Sequence, residues 1–124
     1  MQSNFAQTRK EYGTGDRRWA RNFLNLSTHD ITLDGSLFGA VGTVIKSGTH
    51  IGRKAAGKLG APYAPSASDG TETSIGLLVN DFVVAPGKHL VAVASGGGPV
   101  DRRYLPAGHD AAAEADLTAI NFIN

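Results

Sequence analysis

The stretch that decides the fold is residues 42–79, which read GTVIKSGTHIGRKAAGKLGAPYAPSASDGTETSIGLLV. Two short apolar segments, Thr43–Ile45 and Ile75–Val79, enclose a long connection rich in glycine, proline and alanine. Both segments end in turn residues, which is typical of β-strands. Neither segment contains a cysteine, a histidine or a carboxylate that could act as ligand, nucleophile or base. The stretch therefore predicts strands and their connection, and its two apolar segments indicate no catalytic or metal-binding site.

Length and composition limit the possible classes of protein. The chain has 124 residues and no cysteine, which predicts one domain with a modest core and no disulfide or thiolate-metal site. The apolar runs are far shorter than the roughly 20 residues of a membrane span, and residues 1–13 lack the apolar segment of a signal peptide. We expect a soluble protein that has no membrane partner and is not secreted by the usual route.

The charge of the chain is unevenly distributed. Residues 1–24 carry five basic and two acidic side chains, a balance of +3, whereas residues 25–124 carry seven basic and nine acidic side chains, a balance of −2. A basic segment on a nearly neutral body fits contact with nucleic acid, contact with an acidic protein, or a solvated tail. These three alternatives stay open at the level of charge.

The first 26 residues are interpreted as a flexible arm. Their aromatic side chains follow no sustained period of 3.6 or 2, so we expect no core within the segment. Four of the nine aromatic residues of the chain lie there, although disordered segments are normally poor in aromatics. The arm is therefore predicted to dock on a partner through its aromatic and arginine side chains, namely Phe5, Tyr12, Arg17, Arg18, Trp19, Arg21 and Phe23.

Residues 27–124 are predicted to form one domain made mainly of short strands. A first hairpin is expected to turn at Asp34-Gly35, between residues 29–33 and 37–45. A second pair of strands, residues 81–84 and 89–94, is joined by Pro86-Gly87 and closed by the glycine run 96–98. The fold class that follows is mainly β with a compact body, one short C-terminal helix and a flexible N-terminal arm, a small α+β protein.

The C-terminal region contains the one predicted helix. Asp110 can accept hydrogen bonds from the free backbone N–H groups of a helix over about 110–119, in a segment rich in alanine. The last residues, 120–124, alternate apolar and polar side chains, which predicts a terminal strand.

Two patterns imitate functional sites. Residues 52–59, GRKAAGKL, have the glycine and lysine spacing of a phosphate-binding loop. However, Leu59 stands where a metal-binding Ser or Thr is required, and the glycine and two prolines that follow prevent a long helix. The four histidines have no metal-ligand spacing and are expected at the surface: His29, His50, His89 and His109. We predict no catalytic, cofactor-binding or metal-binding residue and no enzymatic activity.

Three segments in one order carry a resemblance to a known family. They are AVGTVIK at 40–46, YAPSASDGTETSIGLL at 63–78, and LPAG at 105–108 followed by the alanine-rich helix. This order resembles the bacteriophage head-decoration proteins of the lambda protein D type, over roughly residues 27–124. In that pattern a tryptophan often precedes the Pro-Ala-Gly turn, whereas this chain has Leu105, and residues 55–60 lengthen the first loop.

The resemblance implies a non-enzymatic capsid protein of the virion. Such a protein assembles as homotrimers on the three-fold sites of the expanded head, binds the major capsid protein, and stabilises the head against the pressure of packaged DNA. It would lie on the outer capsid surface and in the host cytoplasm during assembly. The resemblance also implies that residues 1–26 become ordered on the capsid, with no cofactor and no specific contact with nucleic acid.

Two other classes of function stay open. A small β-barrel module that binds nucleic acid would need a basic, aromatic face, whereas the body is slightly acidic. A small hydrolase would need titratable side chains that converge in space, and no spacing in the sequence indicates such a group.

Overall fold

Strands form in this chain where β-branched and other apolar residues are interrupted by turn residues. The structure, a computed structural model, describes residues 16–124. Its strands are β1 (Leu26–Asp34), β2 (Val44–Ile45), β3 (His50–Arg53), β4 (Gly60–Pro62), β5 (Gly76–Leu78), β6 (Phe82–Val83), β7 (Lys88–Asp101) and β8 (Ile120–Ile123). The helix is α1 (Ala111–Asp116), and short 3-10 turns lie at Phe23–Asn25, Gly35–Leu37 and Arg102–Tyr104. The prediction of a mainly β body with one short C-terminal helix is confirmed.

The main sheet has the strand order β1-β4-β3-β5-β7-β8. Because β1 also pairs with β7, five strands close into a ring, and β8 lies outside this ring on β7. The pairing of β1 with β7 is antiparallel over the whole of β1, whereas β8 runs parallel to β7. Strands β2 and β6 form a separate two-stranded sheet.

Two apolar clusters lie on the two faces of β5 and β7, because neighbouring residues of a strand point to opposite sides. Leu78 and Val93 belong to the first cluster, with Ile31, Leu33, Phe38, Ile51, Phe82 and Val84. Leu77 and Ala94 belong to the second, with Trp19, Val79, Val100, Leu117 and Ile120. The second cluster binds both the N-terminal segment and α1 to the sheet.

The first predicted hairpin is wrong. Asp34 accepts a hydrogen bond from the backbone N–H of Ser36 and begins a 3-10 turn, and the N–H of Gly35 donates to the carbonyl of Gly87 at 2.8 Å. This turn therefore packs on the Pro86-Gly87 turn, and β1 pairs with the distant β7.

The second predicted strand pair also differs from the structure. The two strands exist, but β6 pairs with β2 and not with β7. The glycine run at 96–98 does not end β7, which continues to Asp101. The strand continues because Leu26, Ser27 and Ile120 supply pairing partners on its two sides at Gly96 and Gly97.

The C-terminal predictions are confirmed. The carboxylate of Asp110 accepts a hydrogen bond from the N–H of Ala113 at 2.8 Å and caps α1. The helix ends at Asp116, three residues earlier than predicted, and Leu117 turns into the core. Strand β8 follows at Ile120. Among residues 16–124 no helix is long and apolar enough to cross a membrane.

Candidate functional site

The N-terminal segment is fixed to the body by Trp19, whose side chain has no exposed surface. Its indole N–H donates to the hydroxyl of Ser47 at 3.1 Å, and its carbonyl accepts from the N–H of Asp101 at 2.7 Å. Ala20 forms a β-bridge with Val100. The hypothesis that Trp19 docks on a partner is therefore corrected, because in this conformation the side chain lies in the core of its own chain. Trp19, Ala20 and Leu26, which lie in the predicted arm, therefore pack on the body.

Beside this anchor lie arginine and aromatic side chains, most of which are exposed, with Arg17 half-buried. The guanidinium of Arg17 lies 4.4 Å from the ring centroid of Phe23. Tyr104 is the last residue of the 3-10 turn that follows β7. The guanidinium groups of Arg18 and Arg103 lie 4.6 Å and 5.5 Å from the centroid of its ring. We call the set formed by Arg17, Arg18, Arg21, Phe23, Arg103 and Tyr104 the arginine surface.

Two aspartates hold this surface in place. Asp16 forms a salt bridge with Arg18 at 2.8 Å. The carboxylate of Asp101 has no exposed surface, and it forms salt bridges with Arg103 at 2.7 Å and with Arg21 at 3.4 Å. Hydrogen bonding by Arg103 lowers the pKa of Asp101 to about 2, so the pair remains charged at neutral pH. Four arginines against two aspartates leave the surface with a charge of +2.

The arginines remain free to bind a partner despite these pairs. Half or more of each side chain of Arg18, Arg21 and Arg103 is exposed. Leu24, next to Phe23, is 93% exposed. A groove of about 570 Å³ borders the surface, and both Asp16 and Tyr104 line it. Arginine and aromatic side chains are the residues that most often dominate binding energy at interfaces.

Four of the seven predicted arm residues are thus brought together, namely Arg17, Arg18, Arg21 and Phe23. Trp19 is buried, and Phe5 and Tyr12 lie outside the described residues. Sequence reasoning missed Arg103 and Tyr104. A usable signal was present, because residues 17–19 and 102–104 share the pattern of two arginines followed by an aromatic residue.

A second exposed patch is apolar and lies on the small sheet. Val44 and Val83 are paired across β2 and β6, and they are 47% and 40% exposed. Val41, just before β2, is 71% exposed. Apolar side chains gathered on one exposed sheet are typical of a contact surface.

The prediction that the histidines lie at the surface is wrong for His50, which is 4% exposed. Its Nδ1 lies 2.8 Å from the hydroxyl of Ser74, and its Nε2 lies 2.8 Å from Nδ1 of His109. Topology contributes to this burial, because β3 pairs with β4 on one side and with β5 on the other. Ser74 is itself 1% exposed, so its hydroxyl is closed to substrate in this conformation. Within residues 16–124 no three His, Cys, Asp or Glu side chains are arranged to hold a metal ion.

The pattern that imitates a phosphate-binding loop forms a hairpin. Strands β3 and β4 pair antiparallel on either side of residues 54–59, and the N–H of Lys54 donates to the carbonyl of Leu59 at 2.9 Å. The side chain of Lys54 binds Asp69 at 2.7 Å. The helix that would point its N-terminus at a phosphate is not formed by these residues.

Comparisons with known proteins found no matching family model, no matching curated protein and no matching solved structure.

Proposed function

We propose that this chain is a decoration protein of a bacteriophage head, which binds the major capsid protein as a homotrimer and stabilises the expanded state of the capsid. The proposal combines the resemblance of the three ordered sequence segments with the exposed surfaces of the body. It places the protein on the outside of the virion and assigns it no enzymatic reaction.

The observation that carries the proposal is the arginine surface. Trp19 fixes residues 17–24 on the body, so the arginines are presented in a set geometry before a partner arrives. Preorganised side chains lose less conformational entropy on binding. Arginine forms bidentate hydrogen bonds with carboxylates, so the expected partner face on the capsid protein carries aspartate and glutamate side chains.

Stabilisation of the head follows from selective binding. A protein that binds only the expanded lattice shifts the equilibrium towards that lattice by mass action. Packaged DNA repels itself and favours rupture, so each bound trimer raises the free energy that rupture requires. The exposed valines on the small sheet, Val44 and Val83, and the nearby Val41 are the proposed contacts between subunits or with the lattice.

The test is co-sedimentation of the purified protein with undecorated heads of its own phage, both expanded and unexpanded. We expect binding to expanded heads alone. The charge-reversed variant Arg17→Glu with Arg21→Glu is expected to bind at least tenfold more weakly. The matched control Lys58→Glu with Lys88→Glu reverses two charges at exposed residues outside the arginine surface, and we expect it to bind like the original chain.

A truncation tests the first residues separately. Removal of residues 2–15 leaves Trp19 and the core contacts in place, and we expect a folded protein with weakened binding to expanded heads. If the charge-reversed and truncated variants bind with unchanged affinity, neither the arginine surface nor residues 2–15 contributes to binding of the head. Failure of the full chain to bind expanded heads would remove the decoration function itself.

A second candidate function, binding of single-stranded nucleic acid, is favoured by the closed ring of five strands and by the stacking of arginines on aromatic rings. However, the guanidinium groups already cover Phe23 and Tyr104, so bases would have to displace them before stacking. Retention on single-stranded DNA that weakens steeply with salt would support this candidate.

A further inference from the structure

A row of hydrogen bonds joins the sheet to the C-terminal helix. It begins at the hydroxyl of Ser74, passes through the rings of His50 and His109, and ends at Glu114 on α1, 3.0 Å from Nε2 of His109. The two rings stack with centroids 5.0 Å apart. Arg102 closes the row with two hydrogen bonds to Glu114, at 2.6 and 2.7 Å.

With one proton on each ring, the protons in this row have a defined order. Hydrogen bonding by Arg102 lowers the pKa of Glu114 to about 2, so its carboxylate can only accept. Nε2 of His109 must therefore donate, which leaves Nδ1 of the neutral ring as an acceptor. Nε2 of His50 must then donate to that atom, and the hydroxyl of Ser74 donates to Nδ1 of His50. Both rings carry their proton on Nε2.

The row can accept one further proton but not two. A proton on Nδ1 of His109 gives a cation beside Glu114, and His50 adapts by moving its own proton to Nδ1, which then donates to Ser74. A second proton places two N–H donors 2.8 Å apart and two positive charges in stacked rings. Nothing within the row can relieve this conflict, so the contact must open.

We propose that the His50–His109 pair is an acid-sensitive latch, which holds α1 and the preceding turn against the sheet until both rings are protonated. The latch does not depend on the decoration function. His50, Tyr63 and Gly108 also line a groove of about 250 Å³, so opening of the latch changes the lining of this groove.

The groups around the two rings support this assignment. Burial, followed by the charge of His109, lowers the pKa of His50 to about 4, although nearby carboxylates oppose the shift. Tyr63 donates to Asp110 at 3.3 Å, and the N–H of Ser74 donates to Asp116 at 2.9 Å. The groups that face the pair from the neighbouring elements are Tyr63, Ser74, Arg102, Asp110, Glu114, Asp116 and Phe122.

Amide hydrogen exchange of the full chain between pH 7.5 and 5.0 tests the latch. After correction for intrinsic exchange, we expect protection of the amides of Ala113 and Glu114 in α1, and of Leu117 directly after it, to fall at least tenfold. The fall is expected because His50 has its ordinary pKa of about 6.5 only when the latch is open. Acid therefore favours the open state, in which the amides exchange. Protection of amides that donate to the sheet, such as that of Val79 to the carbonyl of Ala92, is expected to fall less. An equal fall in both sets, or no fall, would overturn the proposal.

Two further measurements separate the latch from general acid sensitivity. His50→Gln is expected to abolish the fall at α1, whereas His29→Gln, at an exposed residue, should leave it unchanged. Retention of the fall in folded His50→Gln would contradict the proposal. Side-chain ¹⁵N chemical shifts of the unmutated protein at pH 7.5 should show both rings protonated on Nε2 only. A proton on Nδ1 of either ring would contradict the derived order, whether or not the variant folds.

Discussion

At the scale of single residues, Trp19 decides where the N-terminal segment lies. Its side chain fills the second apolar cluster, and Gly48 provides the room, since a Cβ there would stand 3.0 Å from the indole ring. The same residue therefore supplies core stability and the position of the arginine surface. A partner that bound this surface would therefore meet side chains that the core already holds in position.

Trp19→Ala is expected to lower the free energy of unfolding by about 3–5 kcal/mol, because it removes a large buried ring and leaves a cavity. Chemical denaturation followed by circular dichroism measures this loss, since the only tryptophan of the chain is removed. The control Leu24→Ala changes a residue that is 93% exposed, and it should stay within about 0.5 kcal/mol. Comparable losses for both variants would contradict the role of Trp19 as an anchor.

Gly52 belongs to the pattern that imitates a phosphate-binding loop, and packing explains its presence. A Cβ at this position would lie 2.9 Å from the Cα and the carbonyl oxygen of Thr71. Gly52→Ala is therefore expected to cost about 1–3 kcal/mol of stability. In the control Gly96→Ala, the new Cβ meets neighbours no closer than 3.4 Å. Thermal denaturation of both variants measures the difference, and an unaffected Gly52→Ala protein would contradict this explanation.

At the scale of elements, α1 is a helix of six residues, too short to be stable alone. Its cap at Asp110, the burial of Ala113 and Leu117, and the bond from Ser74 to Asp116 hold it on the sheet. Tertiary contacts therefore decide whether this helix forms, although alanine favours it locally.

Asp110→Ala is expected to destabilise the protein by about 1 kcal/mol, because the N–H of Ala113 loses its acceptor. Asp110→Asn keeps an oxygen that can accept this bond, and we expect most of the stability to return. Denaturant titration of the three proteins provides the comparison. Equal stability of the alanine variant and the original chain would show that the cap contributes nothing.

At the scale of the whole molecule, acid is expected to destabilise the protein in two steps. The pKa of His50 is lowered to about 4 in the folded protein. Between about pH 6.5 and pH 4 the unfolded chain therefore binds a proton that the folded protein does not, and stability falls as the pH falls. The full step is on the order of 3 kcal/mol. A second fall follows below pH 4, because Glu114 and Asp101 have pKa values lowered to about 2 and the unfolded chain takes up protons first.

Free energies of unfolding measured by denaturant at pH 7, 5.5, 4.5 and 3 check this profile. His50→Gln should lose the upper step and keep the lower one, since the carboxylate pairs remain. A stability that is flat between pH 7 and 4.5 in the original chain would contradict the assignment of the upper step to His50.

Local sequence alone predicted the candidate site in part. The clustering of basic and aromatic residues in the first 24 positions predicts Arg17, Arg18, Arg21 and Phe23 as contact residues. Arg103 and Tyr104 lie about 80 positions away, and only the docking of Trp19 and Ala20 on the end of β7 brings them to the same surface. Charge and composition contain no information about that distance.

By itself, the sequence determined the features that depend on neighbours along the chain: the fold class, the capped helix, the terminal strand and the positions of most strands. The tertiary structure decided which strands pair, the closure of the ring between β1 and β7, and the burial of Trp19 and His50. The physical reason is that turn chemistry and side-chain period act over a few residues. Pairing and burial instead depend on which apolar faces meet once the chain has folded, and residues far apart in sequence supply those faces.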